Sequence, residues 1–431
     1  MLLILVAVVS VVGSLAVSVA SAPDGGIGST NDTTARERTL VGVQSAGKVV
    51  LFNASGDAIW TIGGDNVEYF DVSMLDNGTV LAAYTVKGQQ SCGQFKAPCT
   101  RTGFRLIEPE PEPHIVGEWS FPVRSKFNSE VHDVNLLPSG EFLVTDMEYE
   151  RILTVAPNGT ITWQWNASQH YDAPSDPTRT DWLHINDVDR IDPGRYMVSV
   201  RNANQLLIIE RGQGVVDVIN EDENGSSDAS CRLDRDLADY NNDSNGDILC
   251  GDPTLFDHQH NPQYLGPGAV LLADSENDRV IELHKQNGEW VIAWGVNAAN
   301  GVQLNWPRDA DRLPNGNTLI TDTRNNRIVE VTPNKTTVWS VNTGPWPYDA
   351  DRLPYGELLD DERVRPMNTT SDVPERGRKT TLPFLEQAYT GLSYMVALPI
   401  WFQPWHIGVT GVALVLACLG VVLVWSGRRH Q

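Results

Sequence analysis

The sequence predicts an all-β chain: a six-bladed β-propeller, closed by pairing of its N- and C-terminal strands, plus a C-terminal transmembrane helix. Three observations predict it. The stretch 308–331, RDADRLPNGNTLITDTRNNRIVEV, reads as three strands with a tight turn at Pro314-Asn315-Gly316, and a fourth strand follows at Thr337-Val338-Trp339. Asn-Gly between apolar runs is a hairpin signal. This four-strand unit recurs along the chain at about 50-residue intervals, the signature of a propeller. Finally, the first copy lacks its opening strand, and an orphan opening strand stands at 349–356.

The glycine closing each first turn gives a register: Gly78, Gly140, Gly194, Gly268, Gly316 and Gly356. Seven places earlier stand Asp71, Asp133, Asp187, Asn261, Asp309 and Asp349, and five places earlier Ser73, Asn135, Asp189, Gln263, Asp311 and Asp351. Six places later an Asp recurs at Asp146, Asp274 and Asp322. A β-sandwich also has many short strands, but it does not call for a column of Asp or Asn in fixed register.

Taken in order, residues 1–22 are apolar and end in Ala20-Ser21-Ala22, which fits a signal peptide or an uncleaved N-terminal anchor. Residues 23–38 read as a linker and 39–359 as the propeller, beginning with strands at 40–43, 48–52 and 58–62. Full units follow from Glu68, His132, Asn186, His260 and Arg308, with Cys92 and Cys99 in an insertion of the first. A longer insertion spans 221–256. It holds Asn241, Asp243, Asn245, Asp247 and Asp252 around Gly246, the spacing of an EF-type calcium loop, and makes structural calcium an expectation. Residues 360–400 read as a second linker. Residues 407–425 are apolar enough to span a bilayer, and the tail 426–431 carries Arg428 and Arg429, which places the C-terminus in the cytoplasm.

Composition agrees with an extracellular propeller on a cell membrane. Formal net charge is -23 and only seven residues are Lys, a surface suited to concentrated salt and opposed to nucleic acid. Asn-x-Ser/Thr sequons begin at Asn31, Asn53, Asn77, Asn158, Asn166, Asn224, Asn242, Asn334 and Asn368. Cys92–Cys99 and Cys231–Cys250 read as two local disulfides, with Cys418 alone in the span.

Opening strands line a propeller's central channel, so their exceptional residues mark the site. Eight places before each register glycine stand Phe70, His132, Asn186, His260, Arg308 and Tyr348; ten places before stand Glu68, Glu130, His184, His258, Trp306 and Trp346. Positions two apart on a strand share a face, so the pattern predicts two tiers at one mouth. Aromatic walls with converging His and Arg suit a flat anionic ligand. Arg201 stands in a unit that lacks the Asp other units carry after their second strand, and its fork matches sulfate or phosphate oxygens.

With these residues in view, the chain resembles the periplasmic or cell-surface arylsulfate sulfotransferases over roughly residues 40–360. The resemblance rests on Val131-His132-Asp133 before Leu-Pro-x-Gly, on Asp181-Trp182-Leu183-His184-Ile185-Asn186, on Arg201, and on Gln259-His260-Asn261. It implies a six-bladed propeller that moves a sulfuryl group from an aryl sulfate to a phenolic acceptor, with no cofactor and no nucleotide donor. It also implies that His260 is transiently sulfated while His132, His184 and Arg201 hold sulfate oxygens and shuttle protons. An imidazole attacks only when unprotonated, and cationic donors offset the charge that builds on peripheral oxygens. Asn186, His258, Arg308, Phe70, Tyr348 and Trp306 are expected to bind substrate. Unlike better-known bacterial members, this chain reads as a propeller without their extra N-terminal β-domain, with an expected C-terminal anchor and the 221–256 insertion. Two other functions fit the histidines: a metal-dependent hydrolase or lyase, and a non-catalytic surface propeller that binds small molecules or proteins.

Overall fold

The computed structural model describes residues 37–124, 129–176, 178, 181–221, 250–356, 364–367, 383–395, 398–399, 402 and 404–429. Six four-stranded antiparallel sheets form the blades. Blade 1 takes its inner strand, Pro347–Leu353, from the end of the propeller and its other three, Arg38–Val43, Lys48–Phe52 and Ala58–Gly63, from the beginning. The closure predicted from the orphan strand is therefore present, with Leu40 opposite Asp351 and Arg38 opposite Leu353. Inner strands of blades 2 to 6 are Val67–Met74, Val134–Leu136, Ile185–Asp192, His260–Gly266 and Asp309–Arg312.

Apolar residues on both faces of each sheet pack against the neighbouring blades. Among the described residues six buried clusters result, one at each blade junction. The inner aspartates stitch the ring. Each accepts the backbone N–H of the following blade: Val72 to Asp349 at 3.0 Å, Val134 to Asp71 at 3.3 Å, Val188 to Asp133 at 2.9 Å and Ala350 to Asp309 at 3.2 Å. Blade 5 departs from this pattern because Pro262 follows Asn261 and has no N–H to give. The second acidic column is also explained. Asp146, Asp274 and Asp322 bind Arg151, Arg279 and Arg327 at 2.6, 2.6 and 2.8 Å. Blade 4 lacks both partners, carrying Val200 and Gln205 instead, so losing the acid leaves no buried base behind.

One expectation changes. Residues 360–400 are more than a linker: Val364 is buried against blades 5 and 6, the Met367 N–H donates to Glu282 Oε1 at 2.7 Å, and Pro383–Met395 is a helix (α1). The span 407–425 lies within a second helix, α2 (Pro404–Arg429). Among the described residues, which leave out several α2 side chains, no helix is long and apolar enough to cross a membrane. Cys92–Cys99 is a disulfide. Cys250 is disulfide-bonded as well, and its expected partner Cys231 lies outside the described residues.

Candidate active site

Residues of both expected tiers come into ring contact, but four of them are not placed by strand alternation. His184, His258, Trp306 and Trp346 stand just before their strands, with φ of 56°, 48°, 54° and 58°. Such left-handed backbone is costly for residues of this size unless their surroundings hold it. A turn residue of the preceding blade does so. Glu150 Oε1, Asn204 Oδ1, Asp278 Oδ1 and Asn326 Oδ1 accept the N–H of His184, His258, Trp306 and Trp346 at 2.7, 2.9, 2.7 and 3.1 Å. These four acceptors are themselves left-handed and stand ten places after a register glycine. That column was in the sequence and was missed, because Glu, Asn and Asp do not look alike.

His132 is the centre of the cluster. Its ring lies 4.8 Å from Phe70, 5.1 Å from Tyr348 and 5.3 Å from His184, centroid to centroid. His260 lies 6.1 Å from Tyr348 and 6.2 Å from Trp306. Asn186, fully buried, donates from Nδ2 to the Gln259 carbonyl at 2.8 Å, one residue from His260. His258 is less central: its Nδ1 faces Asp257 Oδ1 at 2.9 Å.

The tautomer of His260 follows from its neighbours. Nδ1 lies 3.1 Å from the His258 carbonyl and 3.0 Å from Ser275 Oγ, while the Ser275 hydroxyl donates to the Pro307 carbonyl at 2.6 Å. Both neighbours therefore accept, so Nδ1 carries the proton and Nε2 carries the lone pair. His184 is set in the same way, its Nδ1 donating to the Asp181 carboxylate at 2.7 Å. Ser275 and Asp181 had not been singled out individually. Ser275 shares the column of Arg201, seven places after a register glycine.

Burial keeps these imidazoles neutral. His260 is held well below the usual range by burial, then by Arg308 and Arg201; His132 by burial, then His184, Arg308 and Arg201. Burial brings His184 down to about 4 against the pull of Asp181. Desolvation and two guanidiniums outweigh the Asp181 carboxylate at His184. Six buried polar atoms here have no hydrogen-bond partner within the protein: His132 Nδ1, His184 Nε2, His260 Nε2, Asn186 Oδ1, Arg201 Nε and Tyr348 Oη. Buried polar atoms are normally paired, so this concentration of bare donors and acceptors marks a place built for a polar ligand.

Residues 166–344 match the arylsulfotransferase (ASST) family. The six-bladed propeller agrees with that match. No curated protein matches it. Among solved structures, the propeller is similar to a protein of unknown function from Bacteroides caccae, at 15% identity over 74% of this chain and 99% of that one, with a TM-score of 0.50. It is also similar to a virginiamycin B lyase from Staphylococcus aureus at 12% identity over 77% and 90%, TM-score 0.39. A periplasmic gluconolactonase from Pseudomonas aeruginosa gives 11% over 73% and 98%, TM-score 0.41. At these identities the likeness concerns the fold alone.

The calcium expectation falls mostly elsewhere. Asn241, Asp243, Asn245 and Asp247 lie outside the described residues, and the Asp252 carboxylate accepts from the N–H and hydroxyl of Thr254, both at 2.7 Å. Among the described residues no group of three or more His, Cys, Asp or Glu is arranged to hold a metal ion.

Proposed function

We propose that the chain is an aryl-sulfate sulfotransferase that needs no nucleotide donor and works through a sulfohistidine at His260. The observation that carries this reading is the buried Nε2 of His260: its lone pair is fixed by the Nδ1 contacts and has no partner in the protein. The family match over 166–344 agrees with it. In the first half-reaction, Nε2 attacks sulfur, the N–S bond forms, the aryl S–O bond breaks, and its electron pair leaves as phenolate. In the second, an acceptor phenol gives its proton to His132 or His184, attacks sulfur and frees His260. That proton then passes to solvent, so the cycle converts aryl sulfate and phenol into phenolate, new aryl sulfate and one proton. Arg201 offsets the charge on the sulfuryl oxygens, while Phe70, Trp306 and Tyr348 flank the aryl rings.

The test is turnover of 4-nitrophenyl sulfate with a phenol in concentrated salt. Parallel lines in a two-substrate analysis, a sulfated His260 peptide and no turnover in His260→Asn are expected. Wild-type rates in that variant would sink the assignment.

The same proposal places the propeller on the outer face of a cell membrane, held by 407–425 with the C-terminus in the cytoplasm. The support is the apolar run and the Arg428-Arg429 tail. Release of the full chain by alkaline carbonate washing of membranes would count against it.

A further inference from the structure

Arg308 occupies in blade 6 the slot that His132, Asn186 and His260 hold in blades 3, 4 and 5. Its guanidinium carbon lies 4.0 Å from the Trp306 ring centre and 5.0 Å from that of Tyr348, and Nη1 donates to Gln44 Oε1 at 3.2 Å. Stacking on two aromatic faces and a tether into blade 1 fix its plane. Arg201 sits in blade 4. The nucleophile's blade is therefore flanked by two blades that each bring a guanidinium to the site.

We infer that Arg308 is a catalytic residue, closing a two-sided guanidinium clamp with Arg201 around the sulfuryl group; this rests on the sulfotransferase reading above. Charge counting is the reason. When the aryl S–O bond breaks, negative charge sits both on the sulfuryl oxygens and on the departing phenolate. Arg201 is already partly offset by Asp181, whose carboxyl is held down by His184 and then Arg201 against burial. One shared cation faces two anionic centres in a buried pocket, where unmatched charge is costly. Arg308 supplies the second. The two rings it stacks on, Trp306 and Tyr348, lie 6.2 and 6.1 Å from the His260 ring, which places its charge near the reacting nitrogen.

The experiment compares Arg308→Met, Arg308→Lys and Arg201→Met in the full chain. Two readouts are used, only one of which needs turnover. NMR titration of labelled histidine is expected to show the His260 imidazole pKa rising more in Arg308→Met than in Arg201→Met. In kinetics, kcat for aryl sulfates is expected to fall about 100-fold or more. The loss grows as the leaving phenol becomes more basic, KM moves little, and Lys recovers part of the rate. An unmoved His260 titration together with an unchanged leaving-group dependence overturns the inference. If wild-type protein turns over no aryl sulfate while the titration shifts as expected, the charge placement stands and the sulfotransferase reading fails. Should Arg308→Met not fold, Arg308→Lys decides by the same two measurements.

Discussion

Glu150 of blade 3 accepts the backbone N–H of His184 of blade 4 at 2.7 Å, and also those of Leu183 and Ile185 at 3.1 and 3.0 Å. One side chain therefore fixes three successive peptide groups and, through them, the left-handed backbone that delivers the His184 ring. Asn204, Asp278 and Asn326 serve the next three blades by accepting the N–H of His258, Trp306 and Trp346.

Glu150→Ala is expected to remove that hold. Stability should fall by about 1–3 kcal/mol, the cost of leaving buried donors without an acceptor. Turnover should fall further than stability alone explains, because His184 can then leave its φ. Denaturant midpoints and kcat measured on the same preparation check this. A destabilised variant with unchanged kcat would reduce Glu150 to scaffold.

Ser275→Ala leaves His260 Nδ1 with the His258 carbonyl as its remaining acceptor. The expected loss is about 1 kcal/mol in the barrier, close to fivefold in the rate of His260 sulfation in single-turnover mixing. Thr, which blade 6 carries in that column at Thr323, should restore most of it.

The inner aspartates predict a pH dependence with a definite sign. Burial, with the Asp349 charge, pushes Asp133 up to about 8, and burial pushes Asp349 up to about 7. Ordinary Asp titrates near 4, so the folded chain holds protons that the unfolded chain releases. Their stabilising contribution is complete below about pH 4 and is lost as pH rises through 7–8. The denaturant midpoint should drop between pH 5.5 and 8.5, and Asp133→Asn should flatten the drop. A wild-type midpoint that instead climbs over this range would show these carboxylates ionised throughout.

Gly42→Ala tests how tightly blade 1 meets the site. A Cβ there would lie 1.9 Å from the Phe70 carbonyl oxygen, so backbone has to move. A loss on the order of 3 kcal/mol is expected, with weaker binding of aryl sulfates because Phe70 flanks His132. Calorimetry and KM together decide it.

The scaffold was legible because its signals are local. Turn glycines, Asn-Gly pairs and the inner aspartates each act within a few residues, and they repeat. His132, His184, His260 and Arg201 were legible as exceptions to that repeat. What the repeat hid was how they are held. Ser275 and Asp181 look like ordinary turn residues, and their importance lies in which ring nitrogen they leave bare. Glu150 is masked by its own column, where Asn and Asp serve the same purpose. The mouth residues were assigned to strands because alternation was the only period available, whereas left-handed turns put them there.

The last propeller strand, Pro347–Leu353, both seals the ring and contributes Tyr348, whose phenol touches the His132 and His260 rings. Ribosomal synthesis reaches it more than 300 residues after its partner, Arg38–Val43. A truncated chain, or one clipped before that strand, therefore lacks the seam and one wall of the pocket together. Completion of the pocket therefore waits on completion of the ring, at the last strand of the propeller to be made.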